Sequence, residues 1–282
     1  MNQEYNTLVL SGGGLKGFLL LGSLQFLFDS KRLDRKKIKK YIGTSIGAII
    51  NTLLILDYQP KEIIVELIQN KTFDEFQLSA LDGIGFRGFF DFEKISKTLR
   101  TLIEKKLEKI PTIKEFCELY NIFFLAICFN YTKQTEFTIS LKNSPNLNLL
   151  DALRMTSNVP FLFNFFEHEG DQIFDGFLTN NYPIDHIDKN QDTALGIYTK
   201  TDTENKENDI SKWSMFWNII HIPLNQLQKF KRQPFENSLD HICLQCDSIF
   251  DLDYNVKPKV ILDHFSDGYN QSRKIISSEY TK

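Results

Sequence analysis

Hydrophobic positions along this chain alternate between short continuous runs and stretches with helical spacing. Thr7–Leu10 is a β-branched and aliphatic run, the pattern of a buried parallel strand. Phe18, Leu19, Leu21, Leu24, Leu27 and Phe28 follow at helical spacing. Tyr41 and Ile42 end a second short strand, and residues 48–56 form an apolar helix. Further helices are expected over Pro60–Gln69, with its proline in the first turn, and over 92–107. A strand hairpin is expected from 122–129 and Thr135–Ser140. A helix over 149–163 should be stopped by Pro160, and short strands should lie at 172–174, 194–198 and 241–246. Beyond the polar tract at 202–209, a long helix carries Pro223, and a last helix begins near 263. Strands alternating with helices predict an α/β fold with three layers, α/β/α, around a mainly parallel sheet. Strands flank the polar tract on both sides, so residues 1–282 are expected to form one domain. The chemistry-bearing core is expected at about 5–200, with 201–282 completing it.

Both early strand-to-helix junctions are glycine turns. The first, Gly12-Gly13-Gly14-Leu15-Lys16-Gly17, fits the G-x-G-x-x-G spacing of a dinucleotide site. Such a site wants an acid at a strand end about 20 residues on. Here that neighbourhood holds Arg35, Lys36, Lys37 and Lys39, with Asp34 alone in a basic loop, and no Gly-Lys-Ser/Thr follows to make a phosphate loop. The second junction, Gly43-Thr44-Ser45-Ile46-Gly47, has the G-x-S-x-G form of a nucleophile elbow. A serine on so tight a turn needs small residues two positions away on each side, and the following helix aims its positive end at it. In a parallel sheet both turns lie at the C-terminal edge of neighbouring strands. There the amides of Gly13 and Gly14 could face a carbonyl attacked by Ser45. Asp175, at a strand end and followed by Gly176, is well placed as a base.

In this order the motifs resemble those of the patatin-like phospholipases. The elements are the glycine-rich segment 12–17, the elbow 43–47, a helix leading to Ser157 and Pro160, and Asp175-Gly176-Phe177 with Asn181 and Pro183. The resemblance implies a Ser45–Asp175 dyad without histidine, an acyl-enzyme, and an oxyanion hole from Gly12, Gly13, Gly14 and Leu15. Lys16, Gly17, Gly43, Gly47, Gly176 and Pro160 support the motifs. It implies a lipid acyl hydrolase of the phospholipase A or lysophospholipase type, acting on phospholipid or another acylated lipid, with no metal and no organic cofactor. Phe177 departs from the family's usual small residue after Asp-Gly, which bears on substrate range. Neutral-lipid or acyl-thioester hydrolysis by the same dyad, a lipid-binding protein with an impaired dyad, and a residual nucleotide site are the alternatives.

Composition narrows the picture. The net charge of -3 does not suit a polyanion binder, so no nucleic acid partner is expected. The start of the chain has no basic n-region, and no apolar stretch is long enough to span a bilayer. These features suggest a cytoplasmic protein that touches membranes peripherally if at all; they do not address its oligomeric state. None of the five histidines stands in a distinctive motif, although His264 would complete the order Ser45, Asp175, His264. Cys243 and Cys246 alternate across a strand and so would chelate poorly together. The basic run KRLDRKKIKK at 31–40 connects a helix to the start of the next strand, away from both glycine turns. Trp213, Phe216, Trp217, Ile220, Leu224 and Leu227 form a helical stripe read mainly as core, with an interfacial docking helix as the other reading. The glycine- and phenylalanine-rich stretch 81–90 is a candidate lid.

Overall fold

The computed structural model describes residues 4–72, 92–160, 162–164, 166–201, 212–236, 238–246 and 256–279; the side chains of residues 212–218 and 220 are outside that description. The lid candidate at 81–90, the polar tract at 202–209 and the Trp213, Phe216, Trp217 and Ile220 side chains fall outside it.

The chain opens with β1 (Thr7–Leu10), α1 (Gly17–Asp29), β2 (Lys40–Thr44), α2 (Ile46–Ile55), α3 (Pro60–Gln69) and α4 (Glu93–Leu107). It continues with α5 (Ile113–Tyr120), β3 (Phe123–Asn130), β4 (Thr135–Ser140), α6 (Leu149–Thr156), β5 (Phe166–His168), β6 (Asp171–Asp175) and α7 (Phe177–Asn180). It closes with β7 (Ala194–Thr201), α8 (Lys212–Arg232), β8 (Asp240–Cys246) and α9 (Pro258–Glu279). The expected elements are present, with shifts at α6 and α9 and three additions, α5, β5 and α7. α6 stops at Thr156, before Pro160, because Asn158 leaves the helix and bonds through its carbonyl to the Asp175 amide. α9 starts at Pro258 rather than near 263. α5 was not expected, although Thr112 and Glu115 form a capping box that marks its start in the sequence.

The sheet is mixed and mostly parallel, in the order β5-β6-β3-β2-β1-β7-β8, with β4 also on β3. β1 is buried along its whole length between β2 and β7, both parallel to it. Its side chains alternate across the sheet. Leu8 and Leu10 join the large core formed with α1 to α6, whereas Val9 joins a smaller core with Ile42, Ile127, Tyr182 and Ile184.

β3 holds the arrangement that places the site. Residues 125–127 pair with β2 on one side and β4 on the other; residues 128–130 pair with β6 and β4. β2 and β6 therefore share one edge of β3. They approach from opposite ends, parallel and antiparallel, and finish at adjacent positions: Thr44 opposite Ile127 and Asp175 opposite Cys128. The residues that follow the two strands are brought together by this registry.

α9 crosses α1 at glycines. A Cβ on Gly22 would lie 1.9 Å from the Phe265 carbonyl oxygen, and one on Gly268 would lie 2.1 Å from that of Leu19. The hydroxyls of Ser23 and Ser272 meet there at 2.7 Å. Two bare backbones let α9 pack closely on α1 beside β8.

Candidate active site

Ser45 stands between the end of β2 and the start of α2, with φ 53° and ψ -125°. This is a conformation that costs energy for a residue with a Cβ, and the surroundings must hold it in place. Two glycines make room. A Cβ on Gly43 would sit 2.7 Å from the Ala48 nitrogen, and one on Gly47 would sit 2.5 Å from the Leu10 carbonyl oxygen. The Ser45 amide donates to Thr156 Oγ1 at 3.0 Å, and that hydroxyl donates to the Ile127 carbonyl at 2.5 Å. The preceding Thr44 hydroxyl donates to the Asn180 carbonyl at 2.7 Å. The turn is thus fastened to α6, β3 and α7, and α2 points its N-terminal dipole at the serine.

Asp175 is 1% exposed and lies near enough to Ser45 for the serine hydroxyl to favour its charged form. Its Oδ1 accepts the Phe177 amide at 2.8 Å. Burial pushes the carboxyl up to about 7, and the nearby Ser45 hydroxyl and the Phe177 amide only partly offset that rise. Gly176 is needed because a Cβ there would lie 2.4 Å from the Ile127 carbonyl oxygen.

The glycine-rich segment lies against the serine. A Cβ on Gly12 would be 3.3 Å from Ser45 Cβ, and one on Gly17 would be 2.3 Å from Ile46 Cγ1. The two glycine turns therefore interlock. Gly13, Gly14 and Leu15 open a 3-10 turn at Gly14–Lys16, whose first amides have no acceptor within the turn. Gly14 has φ 56°, which suits glycine, and a Cβ on it would meet nothing within 4 Å. Gly12 departs from its expected role as a donor. Its amide is already committed to the Asn181 carbonyl at 2.8 Å, so its part is to fit between Asn181 and Ser45. Lys16 turns away from the serine and donates to Thr201 Oγ1 at 2.5 Å; its burial lowers the ammonium pKa.

Pro160 follows the end of α6 without contributing to the dyad, while Thr156 and Asn158, just upstream, carry the contacts. Neither was singled out from the sequence, because a threonine and an asparagine near a helix end look like ordinary capping residues. Phe177 directs its ring to α8, stacking on His221 with centroids 6.1 Å apart. Its backbone amide, not its ring, serves Asp175. Among the described residues, no contact joins a histidine to Asp175; His264 bonds through Nδ1 to the Val260 carbonyl and adjoins Cys246. Cys243 and Cys246 face opposite sides of β8, and among the described residues no side-chain group could hold a metal. The 31–40 run leads into the N-terminal end of β2, the edge opposite the serine, with Arg35, Lys37 and Lys40 paired to Asp57, Glu4 and Asp192. Among the described residues no helix is long and apolar enough to cross a membrane.

A hydroxyl on a strained turn, beside a buried carboxylate and near amides with no acceptor in their own turn, has the groups that nucleophilic attack on a carbonyl needs. Comparison with known proteins points the same way. The family model for patatin-like phospholipases matches residues 8–188. A probable lipid hydrolase of Invertebrate iridescent virus 6, 463L, is 32% identical over 233 residues, covering 78% of this chain and 78% of its own. Among solved structures, VipD from Legionella pneumophila superposes with a TM-score of 0.62 at 17% identity, over 98% of this chain and 67% of that one. ExoU of Pseudomonas aeruginosa, in its complex with SpcU, gives a TM-score of 0.52 at 12% identity, over 100% of this chain and 53% of that one. At these identities the two structures speak for the fold alone.

Proposed function

The chain belongs to the patatin-like phospholipase family of serine lipid hydrolases, and from that premise we propose that it cleaves carboxyl esters of phospholipids or lysophospholipids through Ser45 and Asp175. The observation that carries this reading is the placement of Ser45 against the buried Asp175 carboxylate, where β2 and β6 end at adjacent positions on β3.

In the proposed reaction Asp175 takes the Ser45 proton as Oγ attacks the ester carbonyl. The negative charge that develops on the carbonyl oxygen is received by the amides of Gly13, Gly14 and Leu15. These are fixed in place before the reaction and need no reorganisation. Asp175 then returns the proton to the departing alcohol, leaving an acyl-enzyme on Ser45. A water molecule gives its proton to Asp175 and attacks the acyl carbon; the fatty acid leaves, and Ser45 recovers its proton. Phe177 is compatible with this chemistry, because its backbone amide supports Asp175 while its ring packs on His221.

The test is release of fatty acid from phospholipid, lysophospholipid and a chromogenic acyl ester by wild type, Ser45→Ala and Asp175→Asn, each first shown to be folded. Both variants should lose about 10³-fold or more. Undiminished turnover by folded Ser45→Ala would remove the dyad from consideration.

A further inference from the structure

Over its described side chains, residues 219 and 221–232, α8 is amphipathic in the inverted sense. An ordinary surface helix buries its apolar stripe and shows its polar side to water. Here the half-buried positions are His221, Leu224, Gln228, Lys231 and Arg232, at helical spacing and mostly polar. They are held by polar and ring contacts. His221 stacks on Phe177, Gln228 accepts the Tyr182 amide at 3.2 Å, and Lys231 meets Glu136 at 3.0 Å and Asp185 at 3.3 Å. The outward side carries Ile219, Ile222, Leu227 and Phe230, at 56%, 62%, 37% and 74% exposure, with Pro223 among them.

We propose that this outward face of α8 docks on an anionic lipid surface. Two observations favour lipid over a protein partner. First, α8 contains no Asp or Glu in 21 residues, although the whole chain has 36, and it carries Lys212, Lys229, Lys231 and Arg232. Lys231 and Arg232 are engaged by Glu136, Asp185 and Glu236, whereas Lys229 stands exposed beside Phe230. A helix of large apolar side chains with lysine beside them and no acid suits the headgroup and acyl boundary. Second, the inward face of the same helix rests on Phe177, whose amide holds Asp175. A bilayer in contact with α8 would therefore rest on the far side of the helix that packs against the segment holding the carboxylate. The proposal rests on the lipid-hydrolase reading for its substrate, but docking itself needs no turnover.

The experiment uses the full chain with Ser45→Ala, so that vesicles stay intact, in co-flotation with phosphatidylcholine vesicles with and without phosphatidylglycerol. The expected result is binding that is stronger with the anionic lipid. It should fall by about tenfold or more in an Ile222→Glu, Phe230→Glu double variant, by loss of buried apolar area and like-charge repulsion. The same double variant on the Ser45 background should hydrolyse a water-soluble short-chain ester at the wild-type rate, which shows that it is folded. Equal vesicle binding by the double variant overturns the proposal, as does a lack of binding by its parent. A concentration-dependent dimer that the double variant dissociates would also overturn it, because a second copy would then own the face. If the soluble ester is not hydrolysed even by wild type while docking persists, it is the reaction that fails and not the docking; circular dichroism then stands in as the check of folding.

Discussion

The amide of Gly12 donates to the carbonyl of Asn181 at 2.8 Å, which fastens the turn after β1 to the segment that follows Asp175. The glycine segment and the carboxylate are thereby held as one unit around Ser45. Gly12→Ala would put a Cβ 2.3 Å from Asn181 Oδ1 and 3.3 Å from Ser45 Cβ. The Asn181 amide can swing aside, so the protein should still fold, but the segment would shift relative to the serine. The expected outcome is kcat/KM reduced by about 10²-fold with little change in Tm, because small misplacements of reacting groups are costly to rate. Steady-state kinetics beside thermal melts would separate the two effects.

Thr156 links Ser45 to β3 by accepting the serine amide and donating to the Ile127 carbonyl. Thr156→Val keeps the shape but strands a buried amide and a buried carbonyl, at a cost of about 1–3 kcal/mol for each group left unsatisfied. Denaturant melts should show that loss, and activity should fall with it. Thr156→Ser retains the hydroxyl and should recover most of both; a serine variant as impaired as the valine would mean that the methyl group, and not the hydrogen bonds, matters.

In the proposed reaction Asp175 must be ionised to accept a proton, and burial raises its pKa to about 7. The rate should therefore climb as pH rises through about 7 and level off above it. Stability moves in the opposite direction. Between the ordinary carboxyl value of 3.8 and about 7 the folded protein retains a proton that the unfolded chain has lost, so this contribution is full below 3.8 and is lost as pH rises through about 7. Asp175→Asn carries no such charge. It should be inactive yet gain stability relative to wild type as pH increases across that window, as thermal melts from pH 4 to 8 would reveal. A constant difference in Tm across the range would contradict the buried, pKa-raised carboxylate.

Glu136 shows the reverse sign. Burial alone would raise its pKa, but hydrogen bonds from His186 and Lys231 outweigh burial and hold it at about 2. The stability it lends is present above the ordinary value of 4.5 and is lost as pH falls toward 2. Glu136→Gln should lower stability at neutral pH by about 1.5–3 kcal/mol, the range for hydrogen bonds to a charged group, and loosen α8 at its C-terminal end. The gap between variant and wild type should close in melts taken progressively below pH 4.5.

The sequence by itself determined the local grammar of this protein. The spacing of glycines around Ser45, the run of glycines after β1 and an aspartate before a glycine at a strand end are patterns within a few residues, so they can be read without a fold, although the contacts that require Gly12, Gly17 and Gly47 come from other segments. The apolar runs of β1 and β2 revealed a buried parallel sheet for the same reason. What only the tertiary structure decided depends on contacts between distant segments. The registry of β3 brings the ends of β2 and β6 to adjacent positions. Thr156 reaches the Ser45 amide from α6, and Asn181 takes the Gly12 amide and removes it from the set of donors. The orientation of α8 belongs to this class as well. Of the apolar stripe, Leu224 turns partly inward and Leu227 outward, while Trp213, Phe216, Trp217 and Ile220 lie outside the described side chains. Ile219, Ile222 and Phe230, which the stripe did not include, face outward because the inward side is claimed by Phe177, Tyr182, Glu136 and Asp185. Periodicity states that a helix has two faces; which of them is buried is settled by the groups waiting for it on the rest of the molecule.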